Sequence, residues 1–155
     1  MKQVRRLQPR HPIQARNGLL GGEKPMVCIP LVGKDHDGIV SEAKNVPSIA
    51  PDIIELRIDA WDFVEDQAAS LAMIKEVRAI VGETPIILTC RGDWEGGFKK
   101  VSDEAKFGVY EAAVKEALVD FIDVELIYGE DKIKKVLELL DGTKTSLIVS
   151  FHDFK

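Results

Sequence analysis

Short apolar segments alternate with longer amphipathic segments along the chain from residue 23 onward. Five apolar segments have the length and the β-rich composition of buried strands: "MVCIPLV" (26–32), "DIIELRID" (52–59), "PIILTC" (85–90), "DFIDVELI" (120–127) and "SLIVSF" (146–151). Between them, apolar residues recur at helical spacing over 38–46, 65–82, 102–118 and 130–140. Ser102 is placed to cap the third of these helices. The pattern predicts the element order (βα)4β.

Strands that are separated by helices form parallel sheets with right-handed connections, so two α/β architectures fit this order. One is an open, doubly wound sheet, and the other is part of a (β/α)8 barrel. A dinucleotide-binding open sheet would carry a GxGxxG turn after its first strand, but the sequence there is "PLVGKDHDG". This difference favours a partial barrel of the TIM (β/α)8 class.

Charged and titratable residues stand near the carboxyl ends of the second to fifth predicted strands. In strand order they are Glu55, Arg57 and Asp59, then Arg91, then Glu125, and finally His152. Each residue alone has a structural interpretation, as a member of an ion pair or as a turn cap. Because the active sites of barrels lie at the carboxyl ends of the strands, the repetition over four strands favours a functional site.

The charge distribution divides the chain at residue 22. The total is −5 over 155 residues, and residues 1–22 contain five basic residues and no acidic one, so the remainder carries −10. This acidic remainder disfavours a nucleic-acid partner. We expect residues 1–22 to be a basic disordered tail, with an organelle transit peptide as the alternative, and residues 23–155 to form one partial-barrel domain.

The hydropathy pattern and the two cysteines indicate the compartment. No segment approaches the roughly 18 apolar residues of a membrane span, so we expect no membrane association. Cys28 and Cys90 lie in apolar strand-like segments, where an unpaired cysteine behaves as a small buried apolar residue. A reducing, cytoplasmic environment fits these cysteines better than a disulfide framework does.

Four motifs, in this order and at these spacings, give the chain a family resemblance. They are "IIELRID" on the second strand, "TCRGDWEGG" after the third, "VDFIDVEL" on the fourth and "SFHDF" after the fifth. From about Pro25 to Lys155 the chain resembles the N-terminal part of the type I 3-dehydroquinate dehydratases. The resemblance implies a (β/α)8-barrel lyase of the shikimate pathway of aromatic amino acid biosynthesis. Such an enzyme converts 3-dehydroquinate to 3-dehydroshikimate without a metal or a redox cofactor.

The resemblance also implies roles for individual residues. His152, in the "HDF" segment, matches the histidine that takes a proton from carbon and passes it to the leaving hydroxyl. Glu95, in the "EGG" segment, matches the glutamate that orients this histidine. Glu55 and Arg57 match a substrate-contacting pair, and Arg91 matches the arginine that follows the third strand. In that family a lysine forms a Schiff base with the substrate ketone.

These residue types also suit such a substrate on chemical grounds. The substrate is a small polyhydroxylated carboxylate, and a guanidinium offers two parallel donors to a carboxylate. Proton abstraction next to a carbonyl requires a base that titrates near neutral pH, as histidine ordinarily does. We therefore expect a small anionic molecule as the partner and no metal.

The match does not include the Schiff-base lysine, which lies on the sixth strand in that family. General base catalysis alone supplies about 10²- to 10⁴-fold, well below the roughly 10⁶-fold or more of an enzyme. We therefore expect the chain alone to be nearly inactive. The open sheet edges predict a homodimer or a missing C-terminal half-barrel, which either lies outside this sequence or is supplied by another polypeptide. Two alternatives stay open: another Schiff-base barrel enzyme such as a class I aldolase, and a non-catalytic fragment or half-barrel that binds an anion or self-associates.

Overall fold

The computed structural model describes residues 11–22 and 24–154. It contains a two-stranded antiparallel hairpin, of β1 (Ile13–Ala15) and β2 (Gly18–Leu20). It also contains five parallel strands, β3 (Cys28–Leu31), β4 (Ile53–Arg57), β5 (Ile86–Thr89), β6 (Phe121–Glu125) and β7 (Ser146–Ser150). Four helices join these strands, α1 (His36–Ile49), α2 (Gln67–Val81), α3 (Asp103–Lys115) and α4 (Gly129–Leu140). The predicted order (βα)4β is confirmed for residues 28–150.

The five parallel strands lie side by side in the order in which they occur in the chain, β3-β4-β5-β6-β7. A doubly wound sheet would reverse its strand order at an internal switch point, and this sheet has no such reversal. Because every parallel connection is right-handed, a sequential order places all four helices on one face of the sheet. The helices therefore do not cover the opposite face of the sheet, and the side chains on that face make other contacts.

Each strand divides its side chains between the two faces of the sheet. Ile54, Leu56, Leu88, Ile122 and Val124 are buried with the apolar faces of the helices in one large cluster. The alternate residues Ile53 and Phe121 pack on the other face, with Ile87 and Ile148 beside them, in a smaller cluster that includes Ala15 of the hairpin. The alternation continues toward the carboxyl ends of the strands, where the residues on this second face are polar.

The hairpin corrects the expectation for the N-terminal region. The sequence predicts a disordered tail over residues 1–22, but residues 13–20 form paired strands, and residues 1–10 lie outside the described residues. Arg16 holds the hairpin to the sheet, because its Nε lies 2.9 Å from Asp120 Oδ1 and its Nη2 donates to the carbonyl of Ala117 at 3.0 Å. The Asn17-Gly18 dipeptide, a strong hairpin signal, could have revealed this turn.

Local capping interactions explain most of the differences between predicted and observed helix bounds. The first helix begins at His36 rather than 38, because the Asp35 side chain accepts a hydrogen bond from the backbone N–H of Gly38 at 2.9 Å. The third begins after Ser102, as predicted, and the Ser102 side chain accepts from Ala105 N at 3.1 Å. That helix ends at Lys115, before Ala117 adopts a φ of 52°.

The exposure of the two cysteines and the length of the helices can be compared with the expectation of a reducing environment and no membrane span. Cys90 is buried as expected, but Cys28 is exposed, because its strand stands at the edge of the sheet. Both cysteines are free. Within residues 11–22 and 24–154, no helix is both long enough and apolar enough to cross a membrane.

Candidate active site

The polar residues predicted from the sequence meet at the carboxyl edge of the parallel sheet. Arg57 is the last residue of β4, Arg91 follows β5 by two residues, and His152 follows β7 by two residues. The strand register aligns Arg57 with Thr89 and Thr89 with Asp123, so these three residues are level near the carboxyl ends of their strands. This common edge brings side chains from distant parts of the sequence together.

His152 is held by Glu95. The backbone N–H of His152 donates to Glu95 Oε2 at 3.0 Å, and Nδ1 of its ring lies 2.9 Å from the same oxygen. Glu95 is buried, whereas 42% of the His152 side chain is exposed. Because a carboxylate can only accept, Nδ1 carries the shared proton, and the Nε2 of a neutral ring is left with its lone pair. This is the tautomer that a general base requires.

Glu95 is positioned by a tight turn after β5. Residues 93–95 form one turn of 3₁₀ helix, and the carbonyl of Gly92 accepts from the backbone N–H groups of Glu95 and Gly97 at 3.0 Å each. Gly97 approaches the backbone of Arg91 so closely that an added Cβ would lie 2.2 Å from its carbonyl oxygen. The "GG" of this segment is therefore needed for packing.

Arg91 lies at the centre of a buried ionic cluster. Its Nη1 donates to Ser150 Oγ at 2.6 Å and lies 2.9 Å from Asp123 Oδ1. The same atom lies 3.6 Å from Glu125 Oε1 and 3.9 Å from Glu95 Oε2. Only 6% of the Arg91 side chain is exposed, so the guanidinium neutralises neighbouring carboxylates that would otherwise be buried without a counter-ion.

Lys106 completes this cluster, and it stands in none of the motifs that indicate the site in the sequence. This residue of α3 is buried, and its ammonium group forms an ion pair with Glu125, which is also buried. Glu125 in turn accepts from the backbone N–H of Gly92 at 2.6 Å. Lys106 Nζ also lies 4.6 Å from the centre of the Tyr128 ring. The available signal was its helical spacing with Val109, Tyr110 and Ala113, which share the buried face of α3.

Arg57 lies beside this cluster and has its own carboxylate partner. Its Nε donates to Asp59 Oδ1 at 3.0 Å, its Nη2 donates to Asp59 Oδ2 at 2.9 Å, and the ring of Phe98 lies 5.1 Å from its Cζ. Burial lowers the pKa of Arg57, but the hydrogen bonds and charge of Asp59, with the charges of Glu55 and Asp123, raise it above its usual value. The guanidinium is thus a permanent cation with a fixed orientation.

The structure joins four of the five predicted site residues through direct contacts. Glu95 touches both His152 and Arg91, and Asp59 joins Arg57 to the backbone of Arg91 at 3.1 Å. Glu55 lies two residues before Arg57 on the same strand face and is half-buried. Among the described residues, no hydrogen bond or ion pair connects Glu55 to the other four.

Within the described part of the chain, no group of three or more His, Cys, Asp or Glu side chains is arranged to hold a metal ion. The cationic groups at the carboxyl edge are Arg57, Arg91 and Lys106, and each is paired with a carboxylate. What the arrangement offers chemically is an oriented imidazole beside fixed guanidinium groups.

Comparisons with known proteins agree with this geometry. The family model described as type I 3-dehydroquinase matches residues 27–155. A 3-dehydroquinate dehydratase of Bacillus licheniformis is 37% identical over 143 residues, which cover 92% of this chain and 56% of that protein. One from Clostridioides difficile is 32% identical over 142 residues, with the same coverage. The chain thus spans little more than half the length of these relatives.

Solved structures give the same result. A crystal structure of 3-dehydroquinate dehydratase from Geobacillus kaustophilus superposes with a TM-score of 0.87 at 34% identity, over 92% of this chain and 56% of that one. A type I 3-dehydroquinate dehydratase from Clostridium difficile, solved with covalently modified comenic acid, gives 0.89 at 31% identity, over 94% and 57%.

Proposed function

The chain belongs to the type I 3-dehydroquinase family, and from this premise we propose that it carries one part of the active site of a lyase. The reaction is the removal of water from 3-dehydroquinate to give 3-dehydroshikimate, in the shikimate pathway of aromatic amino acid biosynthesis. The observation that carries the proposal is the His152–Glu95 pair beside two fixed guanidinium groups at one sheet edge. The free cysteines support a cytoplasmic location.

His152 is the acid–base group in this proposal. Its Nε2 takes a proton from the carbon next to the substrate ketone, and the electron pair of that C–H bond forms the new double bond. The protonated ring then returns the proton to the departing hydroxyl, which leaves as water. Glu95 keeps Nδ1 as a donor throughout, because its Oε2 lies 2.9 Å away.

Arg57 and Glu55 bind the substrate in this proposal, and Arg91 supports them. Arg57 is the more accessible guanidinium, with 17% of its side chain exposed against 6% for Arg91. Asp59 accepts hydrogen bonds from Nε and Nη2 of Arg57. The Nη1 side of the guanidinium is therefore the edge that donates to the substrate carboxylate. The Glu55 carboxylate accepts hydrogen bonds from the hydroxyls of the substrate ring. The buried guanidinium of Arg91 adds positive charge to the site.

The family's covalent step uses a lysine, and we propose that this chain does not supply it. No lysine here matches the Schiff-base motif. Of those near the site, Lys106 is paired with Glu125, and Lys99 donates to the carbonyl of Trp61 at 2.6 Å. Without an iminium, the proton next to the ketone stays weakly acidic. General base catalysis by His152 then leaves the chain far slower than a complete enzyme.

The architecture in this proposal is one domain, residues 23–155, that forms a (βα)4β portion of a (β/α)8 barrel. The sequential strand order supports it, and so does the polar inner face at the carboxyl ends. Strands β3 and β7 are the edges of the sheet and require a partner surface. A second copy of the chain or a C-terminal half-barrel would provide one.

A non-catalytic half-barrel is the second candidate function. The observation that favours it is the pairing of both arginines and Lys106 with carboxylates, since such a cluster can be purely structural. In that case the chain binds an anion weakly or self-associates through β7, where Val149 is exposed.

Turnover and trapping experiments test the proposal. The purified 155-residue chain is incubated with 3-dehydroquinate, product is followed by the absorbance of its conjugated ketone, and a full-length relative is the positive control. We expect turnover at least about 10³-fold below the control and abolished by His152→Ala. Borohydride reduction followed by mass spectrometry should find no substrate adduct on any lysine. Turnover equal to that of the control, or an adduct, would contradict the proposed division of the site.

A further inference from the structure

Asp59 is a buried carboxylate that has no role in the chemistry proposed above. It lies in the single 3₁₀ turn after β4, and none of it is exposed. Each of its oxygens accepts two hydrogen bonds. Oδ1 accepts from Arg57 Nε at 3.0 Å and from Arg91 N at 3.1 Å, and Oδ2 accepts from Arg57 Nη2 at 2.9 Å and from Phe98 N at 3.0 Å.

These four bonds join two parts of the site that are far apart in the sequence. The bidentate pair fixes the plane of the Arg57 guanidinium, since two parallel N–H bonds allow one orientation only. The two backbone bonds hold the segment 91–98 at both of its ends. The Phe98 ring, at the far end of this segment, lies against the same guanidinium at 5.1 Å.

The segment 91–98 is also the one that holds the base. Glu95 lies in its middle, and Glu95 Oε2 accepts from both the backbone and the ring of His152. A continuous set of hydrogen bonds therefore runs from Arg57 through Asp59, the segment 91–98 and Glu95 to His152. Asp59 is the one side chain in this set that touches both the guanidinium and the segment.

We propose that Asp59 is a positioning residue that sets the separation between the Arg57 guanidinium and the His152 imidazole. The Arg57 guanidinium binds the substrate carboxylate, and the His152 imidazole reaches the reacting carbon. The separation of these two groups therefore selects ligands whose carboxylate and reacting carbon span a matching distance. In 3-dehydroquinate the six-membered ring carries the carboxylate two ring positions from the ketone, with the reacting carbon between them, and so fixes this span, whereas a flexible open-chain keto acid does not. The inference rests on the proposed function and deepens it.

The substitution Asp59→Asn tests this role at nearly constant volume. The amide loses the negative charge and presents an NH2 group to donors that need an acceptor. We expect the affinity of the 155-residue chain for 3-dehydroquinate, measured by calorimetry, to fall roughly 10- to 100-fold. We also expect the ¹⁵N resonances of the His152 ring to lose their response to the ligand, which a loss of stability alone would not cause.

Glu65→Gln is the matched control. The Glu65 carboxylate accepts from the backbone N–H and the hydroxyl of Ser102 at 2.7 and 2.6 Å, so it too ties a distant segment in place, but it contacts neither arginine. This variant should retain both the affinity and the His152 response. A folded Asp59→Asn variant with unchanged affinity and response would overturn the inference.

Hydrogen exchange of the wild-type chain tests the inference without any substitution. If Asp59 couples the two parts, the Arg57 Nε–H and the backbone N–H groups of Arg91 and Phe98 open together and share one protection factor. Three unrelated protection factors would overturn the coupling, even if Asp59→Asn does not fold. A wild-type chain that fails to bind 3-dehydroquinate would contradict the proposed function, while the exchange result would still decide the role of Asp59.

Discussion

A single carboxylate oxygen, Glu95 Oε2, accepts from both the backbone and the ring of His152, and this is the feature of the site with the clearest chemical consequence. The backbone bond fixes where the histidine lies, and the ring bond fixes which nitrogen carries the proton. A general base must be correct in both respects. In the proposed reaction, proton transfer therefore depends on Glu95 as much as on His152.

Glu95→Gln should slow proton abstraction. The glutamine amide can offer either an acceptor or a donor to Nδ1, so the tautomer is no longer fixed. We expect the exchange of the substrate proton next to the ketone with D2O, followed by NMR on the 155-residue chain, to slow roughly tenfold or more. His152→Ala should reduce it to the uncatalysed rate, and Glu65→Gln should leave it unchanged. Equal exchange rates for Glu95→Gln and the wild type would contradict the orienting role of Glu95.

The two cysteines should both react slowly despite their different exposure. Cys28 is an exposed residue, but its thiol is partly desolvated, and this desolvation, together with the charge of Glu55, raises the pKa of Cys28 to about 11, while burial raises that of Cys90 to about 12. Only the thiolate attacks a disulfide reagent, and a thiol with a pKa of about 11 is about 0.1% thiolate at pH 8. In a disulfide-exchange assay we expect both thiols to react at least about tenfold more slowly than in urea, with the Cys28 rate rising steeply above pH 9.

The substitution Glu55→Gln tests how much the charge of Glu55 contributes to the raised pKa of Cys28. Removing the charge of Glu55 should lower the pKa of Cys28 and speed its reaction, whereas Cys90, whose pKa is not raised by Glu55, should be unaffected. Cys28→Ser and Cys90→Ser separate the two signals. Rapid labelling of Cys28 at pH 8 in the native chain would show that its environment is more polar than the structure indicates.

At the scale of the elements, a buried ion pair joins α3 to the site. Lys106 reaches from the helix to Glu125 at the end of β6, and Glu125 accepts from the backbone of Gly92 after β5. Three consecutive elements therefore meet at one buried carboxylate. The contact stabilises the turn that carries Glu95, although none of its atoms touches the histidine.

Lys106→Met should destabilise the fold strongly. It removes the nearer cation of the buried Glu125 and leaves only Arg91, whose Nη1 lies 3.6 Å from Glu125 Oε1, and removing one partner of a buried pair costs about 3–5 kcal/mol. The double variant Lys106→Met with Glu125→Gln should recover much of the loss, because the amide oxygen still accepts from Gly92 while the charge is gone. Urea unfolding of both variants measures the difference. A single variant as stable as the wild type would show that the pair is solvated.

Arg16→Ala should reveal that the hairpin is part of the folded unit. It removes the contact with Asp120 and the hydrogen bond to Ala117, while Arg78 remains with Asp120 at 2.8 Å. We expect a loss of about 1–2 kcal/mol in urea unfolding. Lys134→Ala, which breaks an exposed pair with Glu130 on α4, should change the stability by less than about 0.5 kcal/mol. An equal effect of the two variants would contradict the hairpin's role.

The sequence predicted the elements of this fold well because each follows from a local pattern. The spacing of apolar residues that identifies a strand or a helix is complete within ten to twenty residues. Ser102, as an N-cap residue, marks the start of its helix directly. The hairpin was missed because its strands are only three residues each, and its Asn17-Gly18 signal stands in a basic segment that resembles a tail.

The site was predicted only in part, and the reason is physical. His152, Glu95, the arginines and Asp59 stand in motifs, but the partners through which Asp59 and Lys106 act are supplied only by the tertiary structure. An aspartate after a strand has the same local pattern whether it caps a turn or binds an arginine. A lysine within a helix has the same pattern whether it is solvated or paired with Glu125.

At the scale of the whole molecule, the sequential parallel sheet places one set of residues at one edge. Strands β4 to β7 all end there, so residues that are about 100 positions apart in the chain form one site. The other end of the sheet carries the apolar cluster and the hairpin. This polarity of the sheet supports a ligand site at its carboxyl edge and a structural role for its amino edge.

The most direct test of this account is an NMR titration of the ¹⁵N-labelled 155-residue chain with 3-dehydroquinate. We expect the side-chain resonances of Arg57, Arg91 and His152 to shift together and give one dissociation constant, and the His152 ring of the free chain to carry a proton on Nδ1. Shifts confined to one of these residues, or separate dissociation constants for each, would contradict a shared site.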